Sequence, residues 1–548
     1  MNKQSNISKI VLLIIGLIII NFISNKMYKR FDLTEDKRYT LSEPALAILN
    51  KVESPIIIKI YLEGDFPSEF KRLQIETRQL LNELKSENNN IKFRFIDPLD
   101  DAQELIEQGL KPSQLSIQKN GQISEIIIFP WATVQYGTKT ELVSLLNDTN
   151  SQSQEEQLEN AIQNLEYAFA DAIHKVTSEK NKKIAVLKGN GELQDIYVAD
   201  FLRKLGEYYR LAPFTLDAVE TNPQQTTDEL SKFDLAIIAK PTERFTENEK
   251  YTLDQFIING GKTLWLVDQV QAELDSLMDT GESLAYPRDL NLTDLLFSYG
   301  VRINPNLIQD LYSSKIPLAS GNIGNKTQFD QFLWEFNPLT QSKNDHPINK
   351  NVDPVNFKFT SSIDLLKNDI TKTVLLQSSP LSKIIGTPSI ISLKSIGQQP
   401  NPNEYNNGNK PLAVLLEGEF KSAYESRIKP FNYNKSKGIS KKNKMIVISD
   451  GDIIANQITR GQPDKLDTDK WTGQHFGNKD FLLNSINYLL DDSGLINVRS
   501  KTVDLKILDR EKSFKNRTFY QLLNVLLPII ITLIFGLIFN YLRLKKYQ

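Results

Sequence analysis

LAIIAKPTERFTENEKYTLDQFIINGGKTLWLVD, residues 235–268, reads as strand, helix, strand. Residues 235–241 and 262–268 are short apolar runs of the kind that parallel sheets bury on both faces. Between them Thr246 and Glu249 stand at capping-box spacing and open a helix through Asn259, which Gly260 and Gly261 close. Working outward, IAVLKGNGE (184–192) is a buried strand running into a Gly-rich turn, and a helix over 196–209 follows it. Further strands are predicted at 374–377, 412–418 and 444–452, with a closing helix over 480–490. Alternation of strand and helix predicts a mostly parallel sheet. The stretch between Asp268 and Val374 reads as irregular, and 397–410 and 432–444 as surface loops.

Toward the N-terminus the pattern repeats on a smaller scale. IIIKIYL (56–62) is a continuous apolar run, 67–86 has helical spacing, and IKFRFID (91–97) alternates as a strand before Pro98. Hairpin-like strands follow around Gly121, at 125–129 and 132–137. From Gln154 to Thr177, Leu158, Ile162, Leu165, Phe169, Ile173 and Val176 form one narrow helical stripe. That stripe suits packing along the body, or zipping against a partner helix. His174 on this helix reads as a solvated side chain.

The two ends differ from the middle. Residues 10–23 are almost wholly apolar, from Ile10 past Ile20, and no small-x-small cleavage site follows, so the segment reads as an uncleaved anchor. Leu522 to Leu542 is a 21-residue run without charge, edged by Tyr520 and Tyr541 and followed by Arg543, Lys545 and Lys546. Two crossings place both termini on one side. Lys26, Lys29, Arg30, Lys37 and Arg38 follow the first segment, against Lys3 and Lys9 before it. That asymmetry weakly favours a cytoplasmic body, but long domains translocate largely regardless of charge, so composition leaves the side open.

The expected architecture is therefore α/β, with two α/β domains flanked by a transmembrane helix at each terminus. The boundaries are an anchor at 1–28, a small α/β domain at 29–150 and a connecting helix at 151–180. A larger α/β domain at 181–495, a juxtamembrane segment at 496–519 and the second membrane helix with a basic tail at 520–548 complete it.

Composition restricts the chemistry. A net charge of −2 over 548 residues speaks against a nucleic-acid partner. The absence of cysteine removes disulfides, thiolate metal sites and cysteine nucleophiles. The three histidines, His174, His346 and His475, show no metal-ligand spacing, and no HExxH or GxSxG occurs. Gly261-Lys262-Thr263 imitates the end of a P-loop, but Phe256 stands where its first glycine belongs and the order is helix then strand. No catalytic residue, cofactor or metal is expected. The candidates that remain lie at the carboxyl ends of strands, where ligands bind in open sheets. They are Asn190 and Glu192 in the Gly-rich turn, Asp268, and the pair Asp450 and Asp452, which is spaced to hold a divalent cation. Trp131, Trp265, Trp334 and Trp471 are candidates for stacking on sugar rings.

Several stretches resemble one family. RFDLTEDKRYTLSEPALAIL (30–49), LEYAFADAIHKVT (165–177), LDQFIINGGKTLWLVD (253–268), LAVLLEGEFKSAYESR (412–427), GNKDFLLNSINYLLDD (477–492) and NVLLPIII (524–531) are similar to the gliding-motility-associated ABC transporter protein GldG and its auxiliary-domain relatives. The resemblance covers essentially the whole chain. It departs at Gly189-Asn190-Gly191-Glu192, where relatives tend to read GHGE, so an imidazole role for the turn is weakened. The resemblance implies a two-pass protein of the bacterial inner membrane with its body in the periplasm. It also implies a larger domain similar to class I glutamine amidotransferase-like folds, here without the cysteine that amidotransfer requires. The implied partners are an ABC permease, a cytoplasmic ATPase and the lipid bilayer. The implied function is an accessory subunit supporting gliding motility or secretion, or, in the alternative, an extracytoplasmic receptor for a small molecule or glycan. The segment from Arg30 to Thr40 is the first candidate for coupling to the membrane partner.

Overall fold

A computed structural model describes residues 40–547, with gaps at 65, 67, 99–101, 108, 120–121, 147–153, 325, 343, 492–493 and 501–509, together with Leu13, Ile15 and Gly16. The first apolar segment, with Ile10 and Ile20, and nearly all of the coupling segment therefore lie outside the described residues. Two compact units are present, 1–502 and 503–548.

The first unit opens with α1 (Glu43–Leu49), where the Ser42 side chain accepts from the Ala45 amide and Pro44 sits in the first turn. In β1 (Ile56–Ile60) the fully buried Ile56, Ile58 and Ile60 alternate with Ile57 and Lys59. Helix α2 (Ser68–Glu87) carries the chain to β2 (Ile91–Phe95), which pairs parallel to β1. A separate hairpin, β3 (Ser113–Lys119) and β4 (Gln122–Ile128), precedes β5 (Trp131–Tyr136) and β6 (Lys139–Ser144). The sheet order is β2-β1-β5-β6.

Helix α3 (Gln154–Thr177) follows, and every member of its stripe is buried, from Leu158 to Val176. The stripe lies on α1, α2, β5 and β6 and on the 3₁₀ turn Leu495–Ser500, so the body itself takes the place of a partner helix. Glu166 of α3 accepts from the Ser42 amide at 2.6 Å, fixing α1 to it. The turn Leu495–Ser500 touches both α1 and α3. The chain thus enters the body through α1 and leaves it through a neighbouring turn.

The main sheet has seven strands. Chain order gives β7 (Lys183–Lys188), α4 (Asp195–Leu205), β8 (Arg210–Thr215), α5 (Pro223–Leu230), β9 (Leu235–Ala239), α6 (Glu247–Ile258) and β10 (Lys262–Leu266). Helix α7 (Thr293–Tyr299) and the hairpin β11 (Ser313–Ile323) and β12 (Lys326–Thr340) precede β13 (Thr371–Gln377), β14 (Pro411–Lys421), β15 (Ile439–Ile448) and α8 (Asn478–Leu490). Spatial order is β13-β14-β15-β10-β9-β7-β8. The run β15-β10-β9-β7-β8 is parallel and β14 is antiparallel to both its neighbours. One face packs Leu187, Ile238 and Trp265 against α5, α6 and α7, and the other packs Ile184, Ile237 and Leu264 against α4 and α8. Covering both faces is why β9 is apolar at every position.

The capping box at Thr246 and Glu249 is formed, and Gly260, at φ +108°, ends α6 before β10, which disposes of the P-loop imitation. Two expectations are corrected. The span 268–374 is not irregular but contains the hairpin β11–β12 with its 15-residue second strand. The loop expected over 432–444 gives way at Ile439 to β15.

The second unit contains α9 (Arg510–Lys515) and α10 (Arg517–Tyr547). Residues Arg517–Lys545 are long and apolar enough to cross a membrane, and they include Leu522 and Leu542. Among the described residues this is the one helix that meets that test.

Candidate functional site

Four parallel strands end at one edge of the main sheet, and each delivers a polar residue there. After β9 comes Lys240, after β10 Asp268, and after β15 Asp450, Gly451 and Asp452. The turn 189–192 follows β7.

Lys240 is the residue the sequence reading missed. Its Nζ lies 2.8 Å from both Asp452 carboxylate oxygens, 3.0 Å from Glu273 Oε2 and 3.6 Å from Asp268 Oδ2. The Asp268 carboxylate also accepts from the Gly451 amide at 2.5 Å. Asp450 accepts from the amides of Asp452 at 2.7 Å and Lys358 at 2.6 Å. Lys240, Asp268 and Asp450 are all at least nine-tenths buried. Gly451 is required by close approach rather than by conformation. Its φ is −83°, but an added Cβ would lie 2.5 Å from Lys240 Cβ and Cγ.

Three carboxylates pair with one ammonium, and a fourth, Asp450, is tied to the Asp452 amide. With Arg288 meeting Glu273 at 3.7 Å, the cluster carries more negative charge than the site can hold dry. The excess is relieved by protons. Burial, then the charge of Asp452, pushes Asp268 up to about 7 against the pull of Lys240. Burial likewise holds Asp450 well above the carboxylate range, with Asp268 and Asp452 adding to it. For Lys240 burial acts downward, but Asp452, Asp268 and Glu273 outweigh it and raise its pKa. The amine is thus a fixed cation, unsuited to nucleophilic or Schiff-base chemistry, which needs the free base. Of the two acids the sequence reading offered to a divalent ion, Asp452 is paired with this ammonium, while Asp450 accepts from backbone amides. Among the described residues no group of three or more His, Cys, Asp or Glu is arranged to hold a metal.

A sign follows for stability. Folded Asp268 keeps a proton that the unfolded chain has released above pH 4, so its stabilising share is present below about pH 4 and is lost as pH rises through 7. The urea midpoint of the full-length protein should therefore fall between pH 5 and 8. Asp268→Asn, whose amide oxygen still accepts from Gly451, should flatten that fall. An unchanged pH profile in the variant would refute the assignment.

Asn190 and Glu192 lie apart from this cluster, at the switch point between β7 and β9 where ligand crevices form. Here the crevice is stitched by its own loops. The Asn190 carbonyl accepts from the amides of Thr242 and Glu243 at 2.9 Å, and Thr242 donates to the Gly191 carbonyl at 2.9 Å. Asn190 Nδ2 donates to Glu249 at 3.1 Å, and Glu192 accepts from the Asn190 amide at 2.8 Å. Burial raises the Glu192 pKa.

A second buried carboxylate, Asp254 of α6, is capped by donors. Tyr299 Oη at 2.8 Å, Ser422 Oγ at 2.6 Å, the Ala423 amide at 2.8 Å and Gln255 Nε2 at 2.9 Å all reach it. It joins stretches 253–268 and 412–427, two of those that carry the family resemblance, so there those residues hold the domain together.

The remaining candidates disperse. Trp265 and Trp334 are core residues, Trp131 donates to the Lys111 carbonyl, and Trp471 is 55% exposed beside Phe329 at 6.0 Å. His346 caps a 3₁₀ turn and packs on Tyr488, and His475 meets Thr468 at 3.4 Å. His174 is not simply solvated. It is half-buried in a cleft, and burial lowers its pKa.

Among proteins with which the chain was compared, an uncharacterized protein of Borreliella burgdorferi is 23% identical over 565 aligned positions, covering all of this chain and 99% of that one. Of solved structures, the mmIFT52 N-terminal domain aligns with 60% of this chain and all of that one, at 13% identity and a TM-score of 0.33, too distant to assign a fold. Residues 35–135 match a domain of unknown function, DUF7088. Residues 181–485, the main sheet with its surrounding helices and the Lys240 and Asp254 clusters, match the auxiliary family described as ABC-type uncharacterized transport system. That match spans more than half of the sequence, and the chain belongs to this family of ABC transporter auxiliary proteins.

Proposed function

We propose that the protein is a non-catalytic, membrane-anchored accessory subunit that docks on the permease of an ABC transporter and holds its α/β body in the periplasm. The observation that carries this reading is the arrangement of the body's two ends. Helix α1 and the turn Leu495–Ser500 pack side by side on α3, so a helix at each terminus can enter one membrane without the body being spanned by its own linkers. The apolar helix 517–545 and the family membership support association with a membrane transport system, and the apolar run 10–23 of the sequence is the ground for a second crossing in this reading. The Lys240 cluster, neutralised internally, supports a body that does no chemistry. The resemblance to GldG supports a place in gliding motility or an associated secretion process.

The test is purification of the tagged full-length chain from its native membrane in mild detergent. A polytopic permease and a cytoplasmic ATPase should accompany it in fixed ratio. Recovery of the chain alone, or only with unrelated envelope proteins, would overturn the docking. A second reading, a glycan receptor, is favoured by one observation, the exposed Phe329 and Trp471 rings. It requires saturable glycan binding that Trp471→Ala abolishes.

A further inference from the structure

The sheet's opposite edge, where β7 begins, carries a cleft of about 440 Å³. It is walled by α3, the α4–β8 corner, the end of α8 and the turn Leu495–Ser500, and it falls in the range of small-molecule sites. We propose that this cleft binds an anionic amphiphile, an alkyl chain bearing a carboxylate or phosphate head. The inference concerns the body alone and neither requires nor tests docking on a permease.

The apolar half is built from Leu490, Leu495 and Ile496 together with the rings of Tyr208 and Tyr209, stacked at 6.0 Å. Both tyrosine hydroxyls are spent on the protein, Tyr208 on Asp171 at 3.2 Å and Tyr209 on Asn487 at 2.9 Å. The Lys175 ammonium lies over the Tyr208 ring at 4.2 Å, so Tyr209 offers the freer ring surface to a hydrocarbon. Most charges at the cleft are likewise spent. Lys175 is held by Glu141 at 2.8 Å, Asp171 at 3.4 Å and Glu207 at 3.9 Å. Lys182 pairs with Asp234, Lys180 donates to the Gly206 carbonyl, and Asp491 accepts from the amides of Gly494 and Ile496.

Two groups are left over at the polar end. Among the described residues neither the His174 imidazole nor the Lys51 ammonium has a hydrogen-bond or ion-pair partner, and both line the cleft. The Lys51 charge acts on His174, and the carboxylates of Asp171 and Asp491 act on it more strongly. Those carboxylates are already engaged, Asp171 by Lys175 and Tyr208 and Asp491 by backbone amides. Glu179, an exposed carboxylate elsewhere on the rim, is not among the charges acting on that ring. A neutral imidazole offering N–H beside an unpaired ammonium is a seat for one anionic head, and the apolar wall beyond it is a seat for a chain. The cleft is also lined by the segments through which the chain enters and leaves the body, Lys51 just after α1 and the turn Leu495–Ser500. An amphiphile bound there would bear on both.

The test is isothermal titration of the full chain in phosphatidylcholine nanodiscs, with empty nanodiscs as blank, using octanoate, octyl phosphate, octylamine and inorganic phosphate. One saturable site is expected for octanoate or octyl phosphate, and none for octylamine or inorganic phosphate. Lys51→Gln and His174→Gln should each weaken binding about tenfold. Neither side chain makes a hydrogen bond or ion pair among the described residues, so both variants should melt close to the parent. Binding of octanoate alone assigns a fatty-acid head, and binding of octyl phosphate alone a phospholipid-type head; either supports the proposal. No saturable binding, equal binding of octylamine, or parent-like affinity in both variants would overturn it.

Discussion

Replacing Lys240 by methionine is expected to lower the stability of the body by about 3–5 kcal/mol at pH 8, the range for breaking a buried ion pair from one side. Methionine matches the length of the lysine stem, so little packing is lost. The loss comes chiefly from Asp268 and the largely buried Asp452, which lose the ammonium they share, while the more exposed Glu273 is rescued by solvent. The cost should shrink as pH falls toward 5, because the orphaned carboxylates then take up protons. Denaturant titration of the full chain at both pH values measures it. A loss below about 1 kcal/mol at pH 8 would mean that water already reaches the carboxylates, and the dry-cluster description would be wrong. Asp452→Asn in the Lys240→Met background should recover part of the loss, since one unpaired charge is removed; such coupling is expected only between groups in contact.

Asp254→Ala should be nearly as damaging, at about 4 kcal/mol. It strips the acceptor from the Tyr299 and Ser422 hydroxyls and the Ala423 amide, all on buried residues. Burial raises the Asp254 pKa while the same donors pull it down, so the carboxylate is held by hydrogen bonds and not by a cation. Asp254→Asn keeps one acceptor oxygen but turns an NH₂ toward donors, and an intermediate loss of about 2 kcal/mol is expected. Thermal melting of the three proteins side by side gives the order. Equal midpoints for alanine and asparagine would show that packing, not hydrogen bonding, sets the cost.

The apolar strands of the main sheet were legible because each is buried on both faces and therefore written without interruption. The capping box at Thr246 and the stripe of α3 were legible for the same local reason. Strand β8 was not, since it lies at the sheet's edge, carries Pro213 and has no fully buried residue. The hairpin β11–β12 was hidden because residues 327–331 are exposed on both faces, which leaves no alternation to read. Asp268, Asp450 and Asp452 could be picked out one by one as acids at strand ends. Lys240 could not. Lys-Pro after a strand looks like a turn, and its partners Asp268, Glu273 and Asp452 are 28 to 212 residues away, brought near only by the order of strands. His174 was missed by the same logic, because the walls that enclose it belong to α8 and the turn that follows.

Because α1 and the turn Leu495–Ser500 are neighbours, any tension on the chain's two ends is applied at adjacent points. The body then behaves as a weight on a closed loop rather than as a link in a chain. Pulling bears first on one clasp, where α1 and the turn Leu495–Ser500 lie on α3 and the Glu166 carboxylate holds the Ser42 amide. Mechanical work delivered at the base would therefore swing or lift the sheet whole, and the first thing to give way under excess force would be the clasp.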